Sequence, residues 1–242
     1  LVVHDTVRET VARALRGVDP VAHRRYRAAA WQKLRSELPA VPPAELWRYT
    51  ADILYLVENP AVREAFFPTT EHAVAVETAT PADGPAIAAI ARRHEPDAAA
   101  ALLDSWWDDA PQSFVVVRDR SGRVVGFSIL FEPDQVPYGA IEADPVTRSW
   151  REHLRRDPVP RGQRVPCNRR WLSADEGEQP SSVQAACWLD IKRAYMELRP
   201  ELRRLYTTVR DIATYAPVIT PLGFEALPDP VELDGVGYHT VQ

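Results

Sequence analysis

Near residue 71 the apolar periodicity of this chain changes, and that break constrains the fold more than any other feature. Before it the spacing is helical. In HDTVRETVARALRG, Val7, Val11 and Leu15 fall four apart, and Gly17 is a stop signal. Asp19 and Pro20 then supply a cap and a first-turn proline, and Tyr26, Ala30, Leu34 and Leu38 form the next stripe. Pro43 opens a third helix with Leu46, Ile53, Leu54 and Val57 inward, and Pro60 opens a short fourth one through Phe67. Pro68-Thr69-Thr70 reads as the connector. After Glu71, HAVAVETAT alternates at period two, as a half-buried strand does. Two helical stretches follow, PADGPAIAAIARRH and EPDAAAALLDSWW. SFVVVRDRSGRVVGFSILFE is a hairpin, with two β-branched runs around the turn Asp119 to Gly122. Residues 133–165 are proline-rich and irregular, with one helix, PVTRSWREHLRR; this length points to an insertion or a lid. Then come a strand ending in RRWLS, a helix over 181–198, a strand in LRRLYTTVR, an irregular helix in DIATYAPVITPL, and closing strands in GFEAL and VGYHTV. The predicted class is α/β. A mixed central sheet flanked by helices spans 72–242, and an all-α segment spans 1–68.

Composition excludes several functions. The 242 residues carry a net charge of −5, which argues against a nucleic-acid surface. No apolar run reaches the ~20 residues of a membrane helix. Cys167 and Cys187 are too few for a disulfide framework and lack metal-ligand spacing, so a cytoplasmic protein without metal is expected. The chain starts at Leu1, and its only methionine is Met196. It is therefore expected to be part of a longer polypeptide.

TPADGPAIAAIARRH after the first strand, the Asp119–Gly122 hairpin leading into Val124-Val125-Gly126-Phe127, and Leu222-Gly223-Phe224 after a short helix occur in an order that resembles the GNAT superfamily of N-acetyltransferases. The resemblance covers residues 72–242. It implies acyl-CoA in a V-shaped cleft between the fourth and fifth strands, with the thioester carbonyl on backbone N–H groups near Leu172 and Ser173. It also implies a pyrophosphate on the N–H groups that open the following helix, the usual helix-terminus anion site. Two registers fit the family's Gln/Arg-x-x-Gly-x-Gly/Ala loop. One starts at Gln179 and puts Ser181, Ser182 and Val183 at the phosphate; the other centres on Gly177. The first ends where the helix begins, but serine and glutamine side chains stand where the family keeps glycine. The tyrosine that the family uses as the acid is replaced by Ile219, which leaves Tyr215, one turn earlier, as the candidate. VVHDTVRETVARAL and DPVAHRRYRAAAWQKL resemble, faintly, helices that follow the ATPase part of bacterial signalling ATPases, which implies an upstream regulatory domain.

The residues themselves offer further candidates. Glu132, Asp134, Asp175 and Glu176 are possible bases for an ammonium acceptor, with Glu132 and Asp175 preferred. Trp106 and Trp107 are candidates for a substrate wall. Arg169 and Arg170 adjoin in a strand, so alternation allows at most one of them to meet the cofactor. His94 suits a helix C-terminus. HLRRDPVPRGQR reads as a solvated lid. Asp175, Glu176 and Glu178 crowd the helix start and are expected to oppose an anion there. Two functions follow as expectations. One is acyl transfer from acetyl-CoA to an amine of a small molecule or protein. The other is a catalytically degenerate module of the same fold, serving sensing or protein interaction in a larger regulator.

Overall fold

The computed structural model describes residues 5–68 and 73–242. These divide into two compact units between Val57 and Glu58. In the first unit, α1 (Asp5–Val18) and α2 (Pro20–Glu37) meet at Asp19, whose carboxylate accepts from Val21 and Ala22 N–H. This is the N-cap and first-turn proline expected from sequence. Arg27 of α2 donates to the Leu56 carbonyl, which follows α3 (Leu46–Tyr55).

The second unit begins with α4 (Pro60–Phe66) and contains a seven-stranded sheet among the described residues. Placing the boundary at residue 68 puts α4 with the helices before it. In the structure it packs on the sheet unit, with Phe66 against Trp188 and the Ala65 carbonyl accepting from Gln184. The strands are β1 (Ala75–Thr78), β2 (Phe114–Arg118), β3 (Val124–Phe131), β4 (Cys167–Ser173), β5 (Tyr206–Val209), β6 (Val231–Leu233) and β7 (Val236–Val241), in spatial order β1-β2-β3-β4-β5-β7-β6. β1 to β4 form an antiparallel meander, and β4 meets β5 in parallel. The fold is the mixed α/β arrangement expected from the element order. The start of the HAVAVETAT stretch lies outside the described residues. GFEAL is not a strand: only Ala226 bridges to Val241, and the sixth strand is Val231–Leu233.

Side-chain alternation along the strands divides the core. Phe114, Val116, Phe127 and Ile129 face α5 (Gly84–His94), α6 (Asp97–Asp109), α7 (Tyr138–Ala143) and α8 (Pro145–Arg156). Val117 and Trp171 face α9 (Ser182–Glu197) and α10 (Ile212–Ile219). Residues 133–165 are no lid. α7 and α8 contribute Ile141, Val146 and Trp150 to the core, and Trp150 stacks on Tyr206 at 5.7 Å with its indole N–H donating to Thr240. HLRRDPVPRGQR itself is solvated as expected, with no residue fully buried, and Trp150 just before it anchors the helix on the core.

Gly126 sets the spacing between sheet and helix. A Cβ there would lie 2.3 Å from Val183 and 2.7 Å from the Leu172 carbonyl, so the start of α9 seats only over glycine.

Candidate functional site

β4 and β5 pair over two positions only, Cys167 with Tyr206 and Asn168 with Thr207. Beyond these, β4 runs on to Ser173 while β5 turns to β7, so a wedge opens toward the C-terminal ends of the two strands. This is the splay that the family resemblance implied between the fourth and fifth strands.

The wedge is filled by the chain itself. After Ser173 the backbone turns back. Ser173 N–H donates to the Gly177 carbonyl at 2.8 Å, and Gly177 N–H donates to the Ser173 carbonyl at 3.1 Å. Gly177 has φ +63°, and a Cβ would lie 2.8 Å from His94 Nδ1, so only glycine makes this turn beside the imidazole. His94 in turn pairs Nε2 with the Ala174 carbonyl at 2.9 Å. The turn delivers Glu178 into the wedge, where its carboxylate bonds Arg170 of β4 on one side. On the other it accepts from the Arg210 N–H at 2.8 Å and the Asp211 N–H at 3.2 Å, at the end of β5. The Tyr215 hydroxyl donates to the Glu178 carbonyl.

Behind Glu178 lies a buried charge network. Arg170 Nε donates to Glu95 Oε1 at 2.7 Å, and Tyr238 donates its hydroxyl to the same carboxylate. Arg169 pairs with Asp144, which also accepts from Trp106 Nε1 at 2.9 Å. The two guanidinium groups lie 5.6 and 5.8 Å from the centre of the Tyr238 ring. Alternation allows only one of these arginines on a given face. The structure puts both on the same side, because the β3–β4 register shifts between Ile129 and Leu130 and leaves Arg169 without a partner on β3. A bulge of this kind redirects one side chain. Burial alone would lower an arginine's pKa, but Glu178 and Glu95 hold Arg170 firmly protonated and above its ordinary value.

The other candidates take varied places. Leu172 is in the core. Its N–H points to β3, on the same side as the Ala174 N–H that donates to Val125, so it does not face the wedge. Ser173 N–H, the other expected thioester contact, is already used by Gly177. Tyr215 is buried against Trp171 and Trp188, at the wedge, with its hydroxyl engaged; burial and the nearby Glu178 push its pKa up. Glu132 forms a two-pronged pair with Arg164 beside Cys167, at the opposite end of β4 from Ser173. At ~3.3 Å per residue β4 separates that end from Ser173 by roughly 20 Å, and Asp175 follows Ser173, so the two preferred bases are not brought together. Asp134 lies beside Glu132 at that far end, and its negative charge adds to the hold on Arg164. Asp175 is exposed, 3.4 Å from Arg93. Trp106 is buried in the core, and Trp107 packs edge-on against Phe114.

Two cavities flank the 174–180 turn. One, of about 580 Å³, lies at the start of α9 between Ser181, Ser182 and Val183 and the Asp119–Arg123 hairpin, with Asp175 and Glu176 on its wall. Ser181 caps α9 by accepting from Gln184 N–H at 3.1 Å. The other, of about 490 Å³, is lined by His94, Gln179, Arg210, Asp211 and His239, and Glu178 borders this one. Of the three acids expected to crowd the helix start, Asp175 and Glu176 do so. Glu178 points into the wedge instead, because Gly177 reverses the backbone just before it. Gln179, expected at the phosphate, likewise borders the second cavity. Glu95, Asp144 and Tyr238 were not foreseen. Each is distant in sequence, and only the β4 bulge gathers them. Among the described residues no His/Cys/Asp/Glu group could hold a metal ion, and no helix is long and apolar enough to cross a membrane.

No family model matches the chain, and no curated protein matches it. Solved structures do show a likeness. The C-terminal condensation domain of Ebony, in complex with beta-alanyl-dopamine, is 13% identical at TM-score 0.48, covering 71% of this chain and 98% of that one. A polyamine N-acetyltransferase of Drosophila melanogaster, which forms N-acetylagmatine, is 12% identical at TM-score 0.45, covering 70% and 98%. A histone acetyltransferase and related acetyltransferase from Corynebacterium glutamicum is 17% identical at TM-score 0.42, covering 69% and 94%.

Proposed function

We propose that this chain is a catalytically degenerate module of acyltransferase-like fold, serving sensing or interaction within a larger regulator, rather than an acyl-CoA-dependent N-acyltransferase. One observation carries this reading: the Glu178 carboxylate spans the β4–β5 wedge. An acyl-CoA thioester would have to expel it. That breaks the buried Arg170–Glu178 pair, three hydrogen bonds and the Ser173–Gly177 turn, on the order of 6 kcal/mol in all. A cofactor with an intrinsic dissociation constant of 1 μM gains about 8.2 kcal/mol, so roughly 2 kcal/mol would remain, weaker than millimolar binding.

Acyl transfer keeps two observations in its favour. The cavity at the start of α9 is open and large, and Tyr215 stands at the wedge. In that reading the 174–180 turn swings out, acetyl-CoA takes its place, and Asp175 or Glu176 receives the acceptor's proton. A thermal scan with 1 mM acetyl-CoA separates the two. The degenerate module keeps its melting temperature. A ligand present at 100 times its dissociation constant would add about 2.7 kcal/mol, a rise of about 5–10 °C for a chain this size, and that rise would overturn the closed wedge and leave the enzyme reading to be decided by thiol release in the presence of an amine.

A further inference from the structure

Lys33 and Lys192 are the only lysines among the 29 basic residues of the chain. They lie in opposite surroundings. Lys33 is exposed on α2 and paired with Glu37 at 2.6 Å. Lys192 is half-buried on α9, with Nζ 4.4 Å from the centre of the Tyr195 ring and 4.6 Å from that of Phe224. It borders a hollow of about 40 Å³ walled by Phe66, Trp188, Ile191, Leu205, Ile219 and Leu222. That is room for a few heavy atoms, several times what one water needs.

The polar groups on this hollow are few, and two lack partners. Asn168 is fully buried; its Nδ2 donates to Thr207 at 2.8 Å, and its Oδ1 bonds nothing. The Tyr195 hydroxyl is buried without a hydrogen bond. Buried polar atoms normally find partners, so unmatched ones beside a cavity point to a ligand. Among the described residues no carboxylate lines this hollow. From α4, β4, β5, α10 and the segment after it come only Phe66, Asn168, Thr207, Ile219, Leu222 and Phe224, none of them charged. On α9 itself Asp190 and Glu197 are taken by Arg193. Burial lowers the Lys192 ammonium to about 7. An arginine here could not shed its charge; lysine can.

We propose that Lys192 is the nucleophile of a carbonyl-capture site, which takes a short-chain aldehyde as a reversible imine. The neutral amine adds its lone pair to the carbonyl carbon, giving a carbinolamine. The hydroxyl of that adduct takes a proton and leaves as water, and the nitrogen loses its remaining proton as the C=N bond forms. No oxidant or reductant enters. The Tyr195 hydroxyl stays protonated, because burial pushes its pKa well up, and it supplies the donor for the departing oxygen. The apolar walls hold the alkyl chain.

The presence of Lys33 makes the test internal. The chain is incubated with propanal and cyanoborohydride at pH 7, and each lysine peptide is followed by mass spectrometry. At pH 7 an ordinary lysine is neutral in roughly one molecule in 3,000, whereas an amine titrating near 7 is neutral in about half. Lys192 should therefore be alkylated at least tenfold faster than Lys33, with a rate that saturates as propanal rises. Leu222→Trp, which fills the hollow while leaving the amine, should abolish the advantage with the melting temperature retained. Lys192→Arg should leave no trapped adduct on that peptide. Equal labelling of the two lysines, or a Lys192 rate that climbs linearly with propanal and ignores Leu222→Trp, would overturn the site.

Discussion

Arg170 has no exposure of its own, and both of its carboxylate partners, Glu95 and Glu178, are buried with it. Coulomb attraction in such surroundings is strong, but so is the cost of removing each ion from water. The asymmetry that results is testable. Arg170→Met leaves two carboxylates with one fewer cation and should destabilise the fold by about 3–5 kcal/mol. The melting temperature should fall by about 6–20 °C, read by calorimetry; a change under 2 °C would mean that Glu178 and Glu95 find other partners easily. Asp83 shows the same principle with a pH signature. Burial pushes its carboxyl up, but the Thr80 N–H and hydroxyl and the Arg118 guanidinium outweigh this and hold it below its ordinary value. A group whose folded pKa is lowered stabilises above its unfolded pKa and loses that contribution as pH falls through the folded value. Wild type should therefore exceed Asp83→Asn in melting temperature at pH 7, and the gap should narrow below about pH 4. A gap independent of pH would assign the effect to packing.

Among the elements, α9 depends on what β3 omits. Gly126→Ala brings a methyl against Val183 and the Leu172 carbonyl. It should cost about 1–3 kcal/mol by overpacking. Adding Val183→Ala removes the side-chain clash but not the backbone one, so the pair should recover only part of the loss in a double-mutant cycle of denaturant midpoints. Full recovery would show that the carbonyl yields. Elements were the most legible level of the sequence. The hairpin closes at Gly122 with φ +83°, α2 and α9 are capped by Asp19 and Ser181, and α4 opens at Pro60, because capping and turn chemistry are local. The helix read in PVTRSWREHLRR is α8 itself, but α7 had no such signal: prolines at 133 and 137 suggest a loop, and Ile141 and Trp150 are core residues only by virtue of contacts made far away in sequence.

At the scale of the whole molecule, the α/β class followed from the order of the elements, and the splay between β4 and β5 was what the family resemblance implied. The site did not follow. Nothing local to ADEGEQ says that Gly177 turns beside His94 and sends Glu178 to Arg170, since those partners come from α5 and β4. The bulge at Arg169 is equally silent in the sequence, and it decides which side chains share a face. Closure of the wedge by Glu178 is the central claim, and amide hydrogen exchange at Arg210 and Asp211 reads it directly, since both N–H groups donate to that carboxylate. They should exchange slowly, as buried β-ladder amides do, and at the same rate with 1 mM acetyl-CoA present. Exchange at the rate of an open loop, or a change in their protection on adding acetyl-CoA, would show that Glu178 leaves the wedge and that the cleft admits the cofactor.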